Sequence, residues 1–442
     1  MIRPTVCALL LCVSTPVLAQ QAQPAPPPVL PGDAPPPPPA APEAPPGDVG
    51  TDVKPAFAIP AATATASATA TTSVDASAEV HAEGGAAPKM ISRRGAQLAR
   101  QDVEPTVPVL HTDNVDLRVG GLVQLHLAPY VGDDSLVQNG DPATRAGFRV
   151  RRARFGFEAL FSKGLGMLIA VNPLETDEDI GVISNAMITY QAHPAVFVSA
   201  GTVKVPFARG SLESSRRLLS IERALSVQAI APVSRLGVTL EGRVLDGRIG
   251  YIAGYLNGTE GYSHGNEYGG FLTGARLEVA AFGDADVMKR DATGVTIGGG
   301  GLYADEPATK GYAWSADVVA SAMGAGLRVE ALCDKKEPQD APVPSPAVPD
   351  AIRRCGMYGE LSYVLPEVTP KLPVIQPAVR VDFYDDNRNL EDAGDVMVIS
   401  GGLNADLAGG EGRFQLMYLA RRERHGIQRA NDGIYASLQG AF

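Results

Sequence analysis

From Val115 to the C-terminus, apolar and polar positions alternate in short segments. In LRVGGLVQLHLAP, Val119, Gly121, Val123, Leu125 and Leu127 share one parity, while Gln124 and His126 take the other. In SRLGVTLEGRV, Leu236, Val238 and Leu240 oppose Arg235, Thr239, Glu241 and Arg243; in FLTGARLEVAAF, Ala275, Leu277 and Val279 oppose Arg276 and Glu278. A period of two puts successive side chains on opposite faces, so each segment reads as a strand with one apolar and one wet face. The pattern predicts sixteen strands, the first eight over 115–130, 147–161, 164–172, 182–192, 195–203, 234–244, 247–257 and 269–282. The remaining eight fall over 291–304, 311–321, 323–332, 355–365, 374–385, 394–407, 411–422 and 432–442.

The connections sort into two classes. Short links such as Leu245-Asp246-Gly247, Met323-Gly324-Ala325-Gly326 and Gly409-Gly410 alternate with long polar ones such as PLETDEDIG, GTEGYSHGNEYGG, DNRNLEDAGD and RERHGIQRAND. Short turns at one end and long loops at the other, with an even strand count, predict an all-β, 16-stranded antiparallel transmembrane barrel over residues 111–442. A soluble sandwich also has many short strands, but its inward faces carry less charge than these. In the closing IYASLQGAF, Ile434, Ala436, Leu438 and Phe442 fall on the lipid parity and Tyr435, Ser437 and Gln439 on the inner one. A terminal Phe on the apolar face resembles the closing strand that outer-membrane assembly machinery recognises.

Upstream of the barrel the texture changes. Residues 1–19, MIRPTVCALLLCVSTPVLA, have the Arg3 n-region, an apolar core from Val6 to Val13 and a small-residue site at Val17-Leu18-Ala19, which predicts a cleaved secretory signal. The apolar run is too short to anchor the chain in a bilayer. Residues 20–110 are rich in Pro, Ala and Thr, as in PPPVLPGDAPPPPPAAPEAPP, and predict a disordered periplasmic tether with nothing to bury. Cys7 and Cys12 leave with the signal, and Cys333 and Cys355 remain as an even pair in an exported chain, which predicts one disulfide. The Pro-rich stretch between them has no strand or helix signal.

One insertion stands out. The stretch GTVKVPFARGSLESSRRLLSIERALS, residues 201–226, breaks the alternation with four arginines, in the third long connection from the first strand. Together with FRVRRARFGFEALF at 148–161 and the closing strand, it resembles the phosphate-selective porin O/P family over roughly residues 115–442. The resemblance implies a sixteen-stranded, usually trimeric, water-filled barrel of porin type that passes anions through an arginine-lined constriction. The matching positions are Lys204, Pro206 and Phe207 of the G-x-x-K-V-P-F stretch, then Arg216, Arg217 and Arg223, with Arg209 inside the stretch. They carry over as a group of constriction-loop cations, with no individual anion ligand assigned. Arg152, Arg154, Arg235, Arg243 and Arg276 add cations of lumen parity.

Bland readings of the same residues stay open. Leu212, Leu218, Ile221 and Leu225 have roughly helical spacing, consistent with a short amphipathic helix whose arginines are solvated. Glu213 and Glu222 would then pair with Arg216, Arg217 or Arg223, and within the wall Arg235 would pair with Glu241 and Arg276 with Glu278. Arg149 and Arg151 share the parity of lipid-facing Phe155 and Phe157, so either a bulge resets the register near Arg151 or both lie at the outer rim against lipopolysaccharide phosphates; the rim is the expectation.

The formal charge of -11 disfavours a nucleic-acid partner. No catalytic set accompanies the histidines, ETDED at 175–179 lacks calcium-loop spacing, and GGGG at 298–301 is followed by neither Lys nor a helix signal, so catalysis, metal and cofactor are not expected. The expected partners are outer-membrane lipid and lipopolysaccharide, small anions, two further copies in a homotrimer, and the cell wall through residues 20–110. A mainly structural barrel tied to the envelope by that tether is the alternative.

Overall fold

The computed structural model describes residues 98–99, 101, 103–132, 145–174, 183–258, 266, 269–306, 309–339, 351–369, 372–407 and 411–442. The expected signal at 1–19, the tether up to residue 97 and ETDED at 175–179 lie outside the described residues. A short strand, β1 (Val107–His111), precedes β2 (Val115–Val131), β3 (Gly147–Phe161), β4 (Leu165–Val171), β5 (Ile183–His193) and β6 (Val196–Lys204). Two short helices, α1 (Arg209–Leu212) and α2 (Leu225–Ile230), flank a 3₁₀ turn at Ser215–Arg217 before β7 (Ser234–Val244). There follow β8 (Ile249–Asn257), β9 (Phe271–Gly283), β10 (Gly294–Asp305), β11 (Thr309–Ala322) and β12 (Ala325–Pro338). The chain closes with β13 (Ile352–Tyr363), β14 (Val374–Asp385), β15 (Val396–Leu407), β16 (Gly412–Glu423) and β17 (Gly433–Ala441).

Each strand from β2 onward pairs antiparallel with its neighbour in sequence, and β17 pairs with β2, so sixteen strands close into a barrel. Closure removes sheet edges, which lipid would leave without hydrogen-bond partners. β1 pairs with β2 at Asp116–Val119, just beyond the point where β17 ends opposite Leu122. It therefore continues the β17 edge at the short-turn end. At the tight β7–β8 turn both Leu245 (φ 53) and Asp246 (φ 54) are left-handed, the geometry that matches the twist of a two-stranded hairpin.

The burial pattern is that of a protein turned inside out. Val123, Leu125, Phe155, Phe157, Leu277 and Trp314 are exposed on the outer face, whereas Gln124, His126, Arg276, Glu278, Asp317 and Glu330 are buried on the inner one. An apolar exterior around a polar interior fits a barrel solvated by hydrocarbon. In β17, Tyr435, Ser437 and Gln439 point inward and Ile434 and Leu438 outward, as their parity predicts.

Two boundaries differ from expectation. The β12–β13 hairpin runs past both cysteines to Pro338 and Ile352, so part of the predicted loop is strand. Cys333 and Cys355 face each other in register with S–S 2.11 Å, and the next pair out, Asp334 and Arg354, is ion-paired. Polar side chains suffice there because a strand projecting beyond hydrocarbon needs no apolar face. At the other end, described structure begins before residue 111: Leu98 and Ala99 pack inside the barrel and β1 joins the sheet.

Candidate functional site: the occupied bore

The connection between β6 and β7, residues 205–233, turns into the barrel instead of away from it. Val205, Phe207 and Ala208 are fully buried. The Phe207 carbonyl accepts from Ser315 Oγ (3.2 Å) and from Arg276 (3.4 Å) on the wall. Space for this contact comes from the GGGG stretch of β10: a β-carbon at Gly300 would stand 2.3 Å from the Phe207 oxygen, and one at Gly298 2.2 Å from the Arg276 guanidinium. Glu330 of β12 then receives the start of α1, accepting from Arg209 N (2.6 Å) and Gly210 N (3.0 Å) and also from Tyr358 OH (3.0 Å). These interactions satisfy amide groups that a helix start leaves unpaired.

The leucines do not form one helical face. Leu225 joins Val205, Phe207, Val227 and Ile230 against wall residues Leu256, Leu272 and Leu332. Leu219 and Ile221 pack with Met417 and Tyr435 from the opposite wall, and Leu212 packs with Ile252 and Ala99. The single amphipathic helix is replaced by two short helices and a 3₁₀ turn, because the segment must meet apolar patches on several sides of a closed wall. Carbonyls along its path are held by Arg380 at Glu222, Arg413 and Gln415 at Leu218, and Asn404 at Leu219. Strands on both sides of the bore therefore grip it.

The cations expected at the constriction are largely part of that grip. Lys204 is buried and donates to the carbonyls of Leu212 (3.3 Å) and Glu213 (2.9 Å). Arg209 binds Asp317 (2.5 Å) and Glu278 (3.0 Å), Arg217 binds Asp286 (2.7 Å), and Arg223 donates to the carbonyls of Gly210 and Glu213. Arg216 is half-buried in the 3₁₀ turn, with its carbonyl accepting from Gln439. Among the lumen arginines, Arg276 pairs with Asp317 at 2.6 Å with both side chains almost wholly enclosed, and Arg243 pairs with Glu278. Arg235 is buried at the foot of β7, and Arg154 lies on the bore side of β3 opposite Leu122.

Several pairings therefore differ from the alternatives left open. Glu213 pairs with Arg328 (2.8 Å) and Glu222 with Arg151 (2.5 Å) and Arg152 (3.2 Å). Glu278 is taken by Arg209 and Arg243 while Arg276 turns to Asp317. Sequence neighbours lose to wall partners because the insertion is enclosed, and a buried charge needs its partner within hydrogen-bond reach wherever the chain supplies it.

The rim placement of Arg149 and Arg151 is overturned. The β2–β3 register slips between Gln124 and Leu125: Arg152 stands opposite Gln124 and Val150 opposite Leu125, leaving Arg151 as the bulged residue. Arg149 thereby reaches His126 (3.5 Å) on the inner face and Arg151 reaches Glu222. Burial alone would push the Glu222 carboxyl up, but Arg152 and Arg151 hold it well below the usual carboxylate range. At the short-turn end Asp286 behaves alike: burial raises it, and Arg217 with the Met288 amide brings it below its ordinary value.

Three residue sets escaped the sequence reading. Glu330, Asp317 and Glu360 are wall acids whose role appears only once the insertion is seated on them. The β9–β10 connection, with Asp286 and buried Val287, folds against the insertion. A cavity of about 170 Å³ lies between these elements, lined by Leu98, Arg209, Arg217, Glu278, Asp286 and Arg328 among others.

The model of the family described as phosphate-selective porin O and P matches residues 130–291, which contain the β3 arginines and the insertion. No curated protein matches the sequence. Among solved structures, the chain is similar to an anion-selective porin from Comamonas acidovorans, at 13% identity and TM-score 0.50, covering 74% of this chain and 100% of that one. It is similar to the OmpT outer membrane protein of Vibrio cholerae in its trimer form, at 10% identity and TM-score 0.50, covering 74% and 100%. It is also similar to the outer membrane channel DcaP of Acinetobacter baumannii, at 13% identity and TM-score 0.50, covering 76% and 100%. At these identities the likeness is one of fold.

Proposed function

We propose that this chain is an outer-membrane porin through which small anionic solutes, phosphate among them, diffuse passively, with the insertion at 205–233 as its constriction. The observation that carries the reading is the β3 bulge, which brings Arg149, Arg151, Arg152 and Arg154 to the bore side of one strand. A guanidinium stays protonated and offers an oxyanion two parallel donors. A narrow bore with low-dielectric walls strengthens the field of a few such groups, and several weak sites in series let an ion leave as readily as it enters. Lys204, Arg209, Arg217 and Arg223 also hold the insertion in place, and the half-buried Arg149, Arg151 and Arg154 of β3 add cations on the solute side.

Supporting the location are the apolar exterior of the closed barrel, the match to the porin family and the signal pattern at residues 1–19. Lipid and lipopolysaccharide would then surround the outer face, with the short-turn end toward the periplasm. A homotrimer is part of the proposal, in keeping with the trimer form of the Vibrio cholerae relative.

Reversal potentials in a salt gradient across a planar bilayer test it. The native chain is expected to favour chloride over potassium. Arg151→Gln combined with Arg152→Gln should lower that preference more than Arg217→Ala, whose guanidinium serves Asp286. A cation-selective native channel would remove the anion reading and leave the barrel standing. The occupation of the bore by residues 98–99, 103–105, 205–233 and 284–293 favours a second reading, a mainly structural barrel tied to the envelope through residues 20–110. Native barrels that insert but pass no current would decide for it.

A further inference from the structure

The described residues 98–99, 101 and 103–106 lie along the inner wall as a belt before β1 begins. The amides of Leu98 (3.1 Å) and Ala99 (3.5 Å) both point at the buried carboxylate of Glu241 on β7. Gln101 accepts from Asn185 of β5 (3.1 Å), and the Thr106 amide donates to the Val119 carbonyl of β2 (3.0 Å). Beneath the belt, three strands present glycine on their inner parity. A β-carbon at Gly250 would stand 3.1 Å from Leu98 Cδ1, one at Gly156 2.8 Å from Val103 Cγ1, and one at Gly120 2.7 Å from the Pro105 α-carbon. Val103 itself is only 4% exposed. A floor of glycines, each underneath a different belt residue and framed by Glu241 and Asn185, is a groove shaped for an extended chain.

We propose that this groove is a binding site for the chain's own residues 98–106, and that the docked belt narrows the bore. Leu98 lines the same cavity as Arg209, Arg217 and Arg328, so the belt's first residue borders the space left beside the insertion. Residue 97 is covalently joined to Leu98, which packs inside the barrel. A partner or a pull acting on the upstream segment would therefore act on the belt first. Its hold includes two amides on one carboxylate, one amide pair, the Thr106 amide on Val119 and buried Ala99 and Val103, and none of the wall's hairpin pairings runs through it, so it can be released with the barrel wall intact.

The narrowing role rests on the channel reading above; the docking itself does not, and the experiment separates them. In the full chain carrying Val103→Cys, a membrane-impermeant maleimide should label slowly. Adding Gly156→Val, which fills the groove under Val103, should speed labelling by about ten-fold or more and raise single-channel conductance. Glu241→Gln, at the other end, should do the same to a lesser degree, and serves if Gly156→Val does not assemble, as judged by heat-dependent electrophoretic migration. Fast labelling in the unfilled groove would overturn docking. Fast labelling in Gly156→Val or Glu241→Gln with unchanged conductance would overturn the narrowing role. A native barrel without conductance would refute the channel while labelling still decides the docking.

Discussion

Glu222→Gln takes one negative charge out of the bore and leaves the side chain's size almost unchanged. The carboxylate lies between Arg151 and Arg152 with about 6% of its side chain exposed, so it competes with any solute anion for both guanidinium groups. An anion passing about 5 Å away is repelled by about 0.8 kcal/mol in bulk-water dielectric and by about 3 kcal/mol at an effective dielectric of about 20. Salt in the bore screens the upper figure, so roughly 1 kcal/mol is the working value, about a five-fold gain in anion occupancy. The same change leaves Arg152 buried beside a neutral partner. Breaking a buried pair costs about 3–5 kcal/mol, and the low end applies because Arg151 is one-third exposed and Arg152 keeps Gln124 at 2.7 Å. The assay is the reversal potential in a potassium chloride gradient, joined to a titration in which phosphate reduces the chloride current. The expected result is a higher chloride preference and half-block at a several-fold lower phosphate concentration. An insertion merely loosened by the substitution would raise potassium and chloride currents together. That outcome, or an unchanged reversal potential, would refute the placement of the arginines on the solute path.

Gly300→Val should displace the insertion, since its β-carbon meets the Phe207 carbonyl at 2.3 Å; an overpacking cost of about 1–3 kcal/mol should appear as a lower melting temperature of the folded band with larger conductance, and unchanged values would mean the wall moves instead. At the long-loop mouth, burial and then neighbouring aspartates, Asp392 and Asp385 for Asp386 and Asp385 for Asp395, raise both carboxyls above their usual range. As pH falls they take up protons before ordinary surface carboxylates do, so negative charge leaves the mouth just above the usual carboxylate range while the arginines stay charged. Anion preference should rise on acidification through that window, ionisation of these two groups should destabilise the mouth as pH rises again, and a flat reversal potential would contradict the assignment. Cys333→Ser should lower thermal stability by roughly 3 kcal/mol if the bridge acts by restricting the 22-residue separation it closes in the unfolded chain; no change would show that pairing of β12 with β13 already provides the constraint.

The barrel was legible because lipid enforces a strict rule. Every spanning strand must show hydrocarbon one parity and water the other, and so Val123, Leu125, Gln124 and His126 declare their faces in the bare sequence. The rule lapses where the strands leave the membrane, which is why Asp334 to Pro338 read as loop while pairing as strand. It also breaks at a bulge. Arg151 and Arg152 are adjacent, and two adjacent charges on a lipid-embedded strand cannot both face the bore unless an extra residue is inserted. Their adjacency was itself the signal for the register slip, and it made the rim placement the weaker choice.

The bore is harder to read because its charges are matched across long sequence distances. Arg209 meets Asp317 and Glu330 more than a hundred residues away, and Glu222 meets Arg151 from 71 residues back. A count of arginines in the insertion therefore measures how strongly it is anchored rather than how much positive charge a solute encounters. On the β3 side the acid held by Arg151 and Arg152 comes from the insertion, whereas around β9, β11 and β12 the wall supplies Glu278, Asp317 and Glu330 to receive it. The inserted segment is thus held by charges of both signs: its Glu222 meets Arg151 and Arg152 of β3, its Glu213 meets Arg328 of β12, and its Arg209 meets Glu278 and Asp317.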